Sequence, residues 1–403
     1  MVIEVIDHKE RIMITIKEKK KCCGCTACAT ICPHHALTMK ADKSGFLYPI
    51  VDKNKCINCG LCEKVCPILH ENEERIPTYS FAIKNNDEEV RLKSSSGGLF
   101  PIIAGKTIEA GGIVYGATFD KQWNVKHIGI TKMEDLHLLQ GSKYVQSNTI
   151  GIYKNIKQKL LEGINVLFTG TPCQVAGLNH YLQKRYKNLI TIDFICHGVP
   201  SPKIWKDYLS ELKDLHNHPI TNIEFRNKAT GWKDYQFIIT FADSVKDGEK
   251  TQKYICHHTD NLYMRLFLDN YILRPSCHSC IFRKGKGGSS YTLGDYWGIQ
   301  NFNAEFDDNR GTSLFLGYDD PSIIPQCISQ HCTVIKTPVE LALTSNPSYT
   351  RDWPQSRYSH VFFFLHNYFP LKLISCFSIC LKINKIATKL KCISALKSIQ
   401  KGT

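Results

Sequence analysis

The 403-residue sequence lacks any run of the ~20 apolar residues that a membrane-spanning helix needs. Its longest strongly apolar patch, Val361 to Leu365, ends at His366 and Asn367. The first twenty residues contain neither an apolar h-region nor a small-residue cleavage site, so no export is expected and the cytoplasm is the expected location. Met13, just ahead of the first cysteine run, is an alternative start that would leave residues 1–12 outside the functional chain. Glycine and proline, at 26 and 16 residues, are too scarce for a low-complexity chain, and 43% hydrophobic with 22% charged residues is the composition of a folded protein. At roughly 100 to 200 residues per domain, two to four domains fit. Acidic residues disappear after Asp352, where Arg357, Lys372, Lys382, Lys385, Lys389, Lys391, Lys397 and Lys401 hold more than half of the net charge of +14. The rest is only mildly basic, so nucleic acid is not the expected partner.

Cysteine is abundant. Nineteen is an odd count, and nine lie between residues 22 and 66, which disfavours a secreted disulfide framework and favours metal binding in a reducing compartment. Cys22-x2-Cys25-x2-Cys28-x3-Cys32-Pro33 recurs as Cys56-x2-Cys59-x2-Cys62-x3-Cys66-Pro67, every cysteine displaced by 34 residues. Each run places three thiolates on one tight loop, suited to three irons of a cubane, with the fourth cysteine reaching across the domain. The expectation is two 4Fe-4S clusters with crossed ligation, one on Cys22, Cys25, Cys28 and Cys66, the other on Cys56, Cys59, Cys62 and Cys32. Cys23 aligns with Ile57 and is expected to be a bystander. Zinc is the competing reading, but two identical four-cysteine runs closed by Cys-Pro exceed its spacing requirements. Residues 20–70 resemble the bacterial two-cluster ferredoxin domain.

The acidic, turn-prone stretch from His70 to Pro77 reads as part of a linker over 71–80, between an N-terminal extension (1–19), the ferredoxin region and a large domain over 81–350, with a basic tail over 351–403. In the large domain Gly112–Phe119, Asn165–Thr169, Leu189–Ile195 and Gln236–Phe241 read as strands. Helical patterns at Ile150–Glu162, Val175–Arg185, Pro202–Leu215 after a Ser201 cap, and Asn261–Asn270 alternate with them. The fold expected is an α+β ferredoxin-like domain followed by an α/β domain with a mixed sheet flanked by helices. Cys173 and Cys196 follow buried strands, where ligands collect in open α/β sheets, and Cys277-x2-Cys280 could close a third four-thiolate site. Alternatively Cys173 and Cys196 act beside a flavin or simply pack. Cys256, Cys327, Cys332, Cys376, Cys380 and Cys392 read as core residues.

Ser94-Ser95-Ser96-Gly97-Gly98, Gly141 to Ser147 (GSKYVQS), Gly170-Thr171-Pro172-Cys173-Gln174, Cys196 to Pro202 (CHGVPSP), Cys277-x2-Cys280 and Gly294-Asp295-Tyr296-Trp297-Gly298 occur in that order. Together they resemble the beta-subunit family of coenzyme F-420 hydrogenase/dehydrogenase, over roughly residues 20 to 300. The resemblance implies FAD, a third 4Fe-4S cluster on Cys173, Cys196, Cys277 and Cys280, and flavin contacts from Ser95, Ser96, Gly97, Gly98, Lys143, Tyr144, Gly170, Thr171 and Gln174. Read from the residues, the Ser-Gly turn either approaches a pyrophosphate or caps a helix. Lys143 either neutralises phosphate or reduced flavin, or is a solvated lysine, and His197 either relays a proton or packs as a satisfied histidine. Gly287 to Leu293 lacks the acidic residue that the family pattern places before Gly294, and Asp295 either touches a ligand or holds a turn.

The sequence therefore suggests a flavin-dependent iron-sulfur oxidoreductase exchanging hydride with a small molecule or a deazaflavin- or nicotinamide-type carrier. A redox protein or another subunit would dock at the ferredoxin domain. The alternatives are a non-catalytic electron-transfer subunit of a larger complex, or a zinc protein binding nucleic acid through its basic tail. That tail, with a broken helical stripe at Ile383, Ile386, Leu390 and Ile393, either docks on the protein's own body or touches an anionic membrane or an acidic partner.

Overall fold

The computed structural model describes residues 14–216, 218–242, 252–318, 328–371 and 373–374. Two antiparallel strands, β1 (Leu37–Ala41) and β2 (Leu47–Val51), join the two cysteine runs into a small N-terminal unit. The chain then enters the large domain through β3 (Tyr79–Asn85), β4 (Ile113–Phe119), β5 (Val125–Ile130), β6 (Val166–Gly170) and β7 (Leu189–Phe194). It continues through β8 (Ile220–Asn227), β9 (Gln236–Phe241), β10 (Lys253–His257), β11 (Tyr291–Asp295), β12 (Ser313–Gly317) and β13 (Cys332–Thr337). Eight of these form one mixed sheet in the order β13-β3-β12-β11-β7-β6-β4-β5. The strands β4, β6, β7 and β11 run parallel, and β3 shares their direction because it reaches β11 through two antiparallel steps.

That shared direction positions everything that follows. The segments after β3, β6, β7 and β11 all leave the same edge of the sheet, and they contain Ser94–Gly98, Thr171–Gln174, Cys196–Pro200 and Tyr296–Gly298. Four sequence motifs thus converge where open α/β sheets collect ligands. The parallel strands are apolar because both faces are covered: every residue of β6 is buried. Helices Leu99–Glu109, Ile152–Leu161 and Pro172–Leu182 pack on it.

Most expected elements occur within a few residues of their sequence limits, with three differences. Gln236–Phe241 lies in a separate three-stranded antiparallel sheet, β10-β9-β8, whose aromatic core joins Phe225, Phe237 and Phe241 to Trp205 and Tyr263. Residues 71–80 are no free linker: Glu71 and Glu74 pair with Lys286 and Lys284, Asn72 Nδ2 donates to the Lys286 carbonyl, and β3 begins at Tyr79. The helix expected from Val175 starts at Pro172, so Cys173 stands in its first turn. Ser201 and Asn261 do cap their helices, accepting from Ile204 N and Met264 N. At the far end, helix Ser359–His366 buries Phe362 against the aromatic core, so the start of the basic tail docks on the protein's own body. The stripe from Ile383 to Ile393, Met13, Cys327, Cys376, Cys380 and Cys392 lie outside the described residues.

Candidate functional site

The two cysteine runs fold alike. Gly24 and Asn58 take left-handed backbone at φ +72° and +56°, and Thr26 and Gly60 at +69° and +72°. Each pair is 34 residues apart, so the repeat of the sequence is a repeat of the turn. A short helix follows each turn, Ala27–Ile31 and Leu61–Lys64, and buries the third cysteine of its run, Cys28 or Cys62.

Cys22, Cys25, Cys28 and Cys66 gather on the side facing the large domain. Burial pushes the Cys28 and Cys66 thiols up, Cys22 adding to both by proximity and Cys66 to Cys28. Cys25, eased by a hydrogen bond from Cys23, is raised by burial and by Cys28 and Cys66. Cys32, Cys56, Cys59 and Cys62 line one small cavity on the outer side, where Cys59 is exposed and Ile57 is 60% exposed. Backbone amides serve sulfur as well, with Ala36 N donating to Cys32 Sγ at 3.3 Å.

The large domain grips the inner loop. The carbonyls of Cys22, Cys23 and Cys25 accept from Arg274 Nε at 2.7 Å, Gln146 Nε2 at 3.0 Å and Thr149 Oγ1 at 3.1 Å. Arg274 Nη1 donates to Gln146 Oε1 and Nη2 to the Leu47 carbonyl, so a fully buried guanidinium holds cysteine loop and hairpin together. Helix Pro172–Leu182 comes so close that a methyl on Gly177 would lie 2.7 Å from Cys25 Cβ.

Between these units lies a cavity of about 500 Å³, and Cys173, Cys196, Cys277 and Cys280 all border it. Cys23, Arg274, Arg283, Lys20 and Lys21 border it too. Cys173 is presented by a capping box in which Thr171 and Gln174 bond reciprocally, and the neighbouring Cys23 thiol and burial push its own thiol well up. Burial raises the Cys277 thiol to about 12 and Cys280 to about 11, each increased by neighbouring cysteines. Burial also lifts Cys196, with Cys277, Cys173 and Cys280 adding to it. Four thiols so disfavoured as anions ionise together only when a cationic metal centre compensates them. They ring the cavity without converging on a point: among the described residues, no three His, Cys, Asp or Glu side chains close on a single ion. Val199 N donates to Cys277 Sγ at 3.4 Å, a bond that would support a cluster ligand.

Asp193 also faces this cavity and is buried, accepting from Thr292 Oγ1 at 2.5 Å. Burial pushes its carboxyl up to about 7. At the lowest pH both folded and unfolded chains keep this proton; between about 4 and 7 the unfolded chain gives it up first, so stability falls as pH rises and levels off above 7. The full drop is on the order of 4 kcal/mol. Asp193→Asn should raise the anaerobic thermal midpoint at pH 8 by several degrees and leave it nearly unchanged at pH 4. Equal shifts at both pH values would contradict the assignment.

The remaining sequence candidates fall in two groups. Ser142 Oγ donates to Ser95 Oγ at 2.7 Å, bringing two expected flavin segments together. Beside them Lys143 donates to the Gln140 and Gly141 carbonyls, and burial pushes its ammonium down to about 7. Tyr144 stacks on Phe267 at 4.9 Å. Near Tyr144 lies Arg226, which stands in no motif of the sequence. Its Nη1 donates to Asp295, while its buried Nε and Nη2 find no acceptor among the described residues. Two buried orphan donors near Tyr144 fit an acceptor-rich ring or phosphate.

The other candidates are occupied by the fold. A methyl on Gly97 would strike Ile83 O and Ser313 N, Gly98 caps a helix at φ +80°, and Gly170, Thr171 and Gln174 belong to the turn that presents Cys173. Ser96 Oγ donates to the Thr312 carbonyl. His197 is outside the cavity lining, its Nε2 bonded to Asn270 Oδ1 at 2.8 Å and its ring against Phe267 and Trp353; burial pushes its pKa down to about 4. Asp295 serves Arg226.

Comparison with known proteins agrees with the resemblance seen in the motifs. Residues 164–288 match the family described as the C terminus of the "Coenzyme F420 hydrogenase/dehydrogenase, beta subunit", and residues 21–68 match "4Fe-4S dicluster domain". No curated protein matches. Among solved structures, a chain of the xenon-derivatised F420-reducing NiFe hydrogenase complex from Methanosarcina barkeri aligns with 15% identity and a TM-score of 0.44, covering 68% of this chain and 91% of that chain. Among the described residues no helix is long and apolar enough to cross a membrane.

Proposed function

We propose that this chain, in which a 4Fe-4S dicluster domain precedes the C-terminal region typical of a coenzyme F420 hydrogenase/dehydrogenase beta subunit, is an iron-sulfur flavoprotein oxidoreductase. The observation that carries the reading is the four-cysteine cavity built directly against the Cys22–Cys25 loop. Iron-sulfur clusters, when bound, supply one-electron capacity, and FAD supplies the exchange between one-electron and two-electron chemistry. In this reading Cys32, Cys56, Cys59 and Cys62 hold the outer cluster, Cys22, Cys25, Cys28 and Cys66 the middle one, and Cys173, Cys196, Cys277 and Cys280 the inner one.

The residues of this chain would then divide the work. Arg274 and Gln146 fix the middle loop against the cavity, and Arg274 Nη2 reaches Cys22 Sγ at 3.6 Å, where a buried cation favours the reduced state. Ser95, Ser142, Lys143, Tyr144 and Arg226 would hold the flavin, with Lys143 or Arg226 opposing the negative charge of its reduced form. Exposed Ile57 and Cys59, flanked by exposed Lys53, Lys55 and Lys64, form the docking edge for a redox protein or subunit with an acidic surface. The small molecule or two-electron carrier would meet the flavin at the sheet edge.

The test is the anaerobically purified full chain. It should carry a flavin band that dithionite bleaches and a two-electron acceptor reoxidises. Protein that shows cluster absorption alone, even after incubation with FAD, would instead be a relay subunit without chemistry of its own.

A further inference from the structure

Helix Ser359–His366 and the turn after it are fixed to the body on one side. Phe362 lies against Tyr271 at 6.1 Å between ring centres, Ser359 Oγ donates to the Tyr271 carbonyl at 2.7 Å, and Leu371 and Ile374 are buried. Two carboxylates that touch the segment are engaged, Asp207 with Lys203 and His366, and Glu211 accepting from Leu371 N. The other side is apolar and exposed. Among the described residues Phe364 is 61% and Tyr368 69% exposed, with Val361, Phe369 and Leu373 at 49–50%. Val361, Phe364 and Tyr368 follow one another at steps of three and four, so they share one face, and the rings of Phe364 and Tyr368 stand 5.4 Å apart. A contiguous apolar patch of this kind marks an interaction surface.

We propose that this face seats on an anionic lipid surface, lying in the headgroup region without crossing the bilayer. Charge selects the occupant. Arg357 is exposed just ahead of Val361, and after Asp352 the sequence has no acidic residue. Beyond Ile374 come Lys382, Lys385, Lys389, Lys391, Lys397 and Lys401, so the apolar patch is continued in the chain by a segment whose charges are all positive. Aromatic and aliphatic side chains on one face, with lysines supplying the charge, is the composition of an interfacial anchor: the rings enter the headgroup boundary, and each cation near the surface strengthens attachment about fivefold. A second copy of this chain fits less well, because two such cationic segments repel each other. None of the cluster or flavin ligands lies in this segment, so attachment is independent of the function proposed above.

The experiment is anaerobic cosedimentation of the full chain with lipid vesicles. Vesicles of phosphatidylcholine mixed with phosphatidylglycerol should bind the wild type roughly tenfold or more tightly than phosphatidylcholine alone, and the preference should shrink as salt rises. Combining Phe364→Ser with Tyr368→Ser should weaken binding to the mixed vesicles roughly tenfold and leave the thermal midpoint nearly unchanged, because both side chains are exposed. Combining Lys389→Glu with Lys391→Glu should remove most of the preference for phosphatidylglycerol. Phe364→Trp should bind as the wild type does, and its emission, over that of the five native tryptophans, should shift to the blue on the mixed vesicles as the ring leaves water. No binding to the mixed vesicles, equal binding by the double serine variant, an undiminished lipid preference in the double glutamate variant or an unshifted emission would each overturn the proposal. Self-association that the double serine variant abolishes, without any vesicle binding, would assign the face to a second copy and overturn it as well.

Discussion

Cys66→Ala should remove about four of twelve irons and abolish the same resonance signal as Cys25→Ala, although the two residues belong to different sequence runs. The reason is geometric. Cys66 stands among Cys22, Cys25 and Cys28, whereas its sequence neighbours Cys56 and Cys59 line the outer cavity with Cys32. Cys32→Ala and Cys59→Ala should form the complementary pair, erasing the outer signal only. Because Cys28 and Cys66 share a small apolar core with Ile14 and Leu37, emptying the middle site also removes much of what holds this unit folded. Its variants should lose the thermal transition of the N-terminal unit and be digested there first in limited proteolysis. If Cys66→Ala instead erased the signal lost in Cys59→Ala, ligation would be uncrossed.

The second large effect is expected at the cavity. Cys196→Ala should also cost about four irons, yet leave both ferredoxin signals intact, because Cys196 touches neither ferredoxin set and lies between Cys173, Cys277 and Cys280. Reduction of the outer and middle sites by dithionite should proceed at the wild-type rate, while any flavin in the large domain loses its one-electron supply by several orders of magnitude. Metal analysis and the rate of flavin bleaching by a reduced redox partner check the two halves. A variant that keeps all its iron would return Cys196 to the packing role that the sequence left open for it.

These expectations were legible to different degrees, and physical range explains the difference. Cubane ligation is local, so the 34-residue offset announces it, and the structure repeats even the left-handed residues at that offset. The sheet was legible because strands such as Val166–Gly170 are apolar throughout. Cys173 at a helix N-terminus was half legible: the Thr171–Gln174 pair is a capping signature, although the helix was expected three residues later. Arg274 carried no such signal, since it acts on Cys22 and Leu47, 252 and 227 residues away in sequence. The acidic stretch after His70 looked like a linker because its charges have no local partners; Lys284 and Lys286 supply them from across the fold. Arg226 was invisible for a related reason, as its unpaired donors exist only once β8 packs beside Asp295.

Iron and acid-labile sulfide, counted per chain in anaerobically prepared full-length protein, test the whole account most directly. Three cubanes on twelve cysteines predict about twelve of each. Zinc in place of iron, or iron without sulfide, would contradict it.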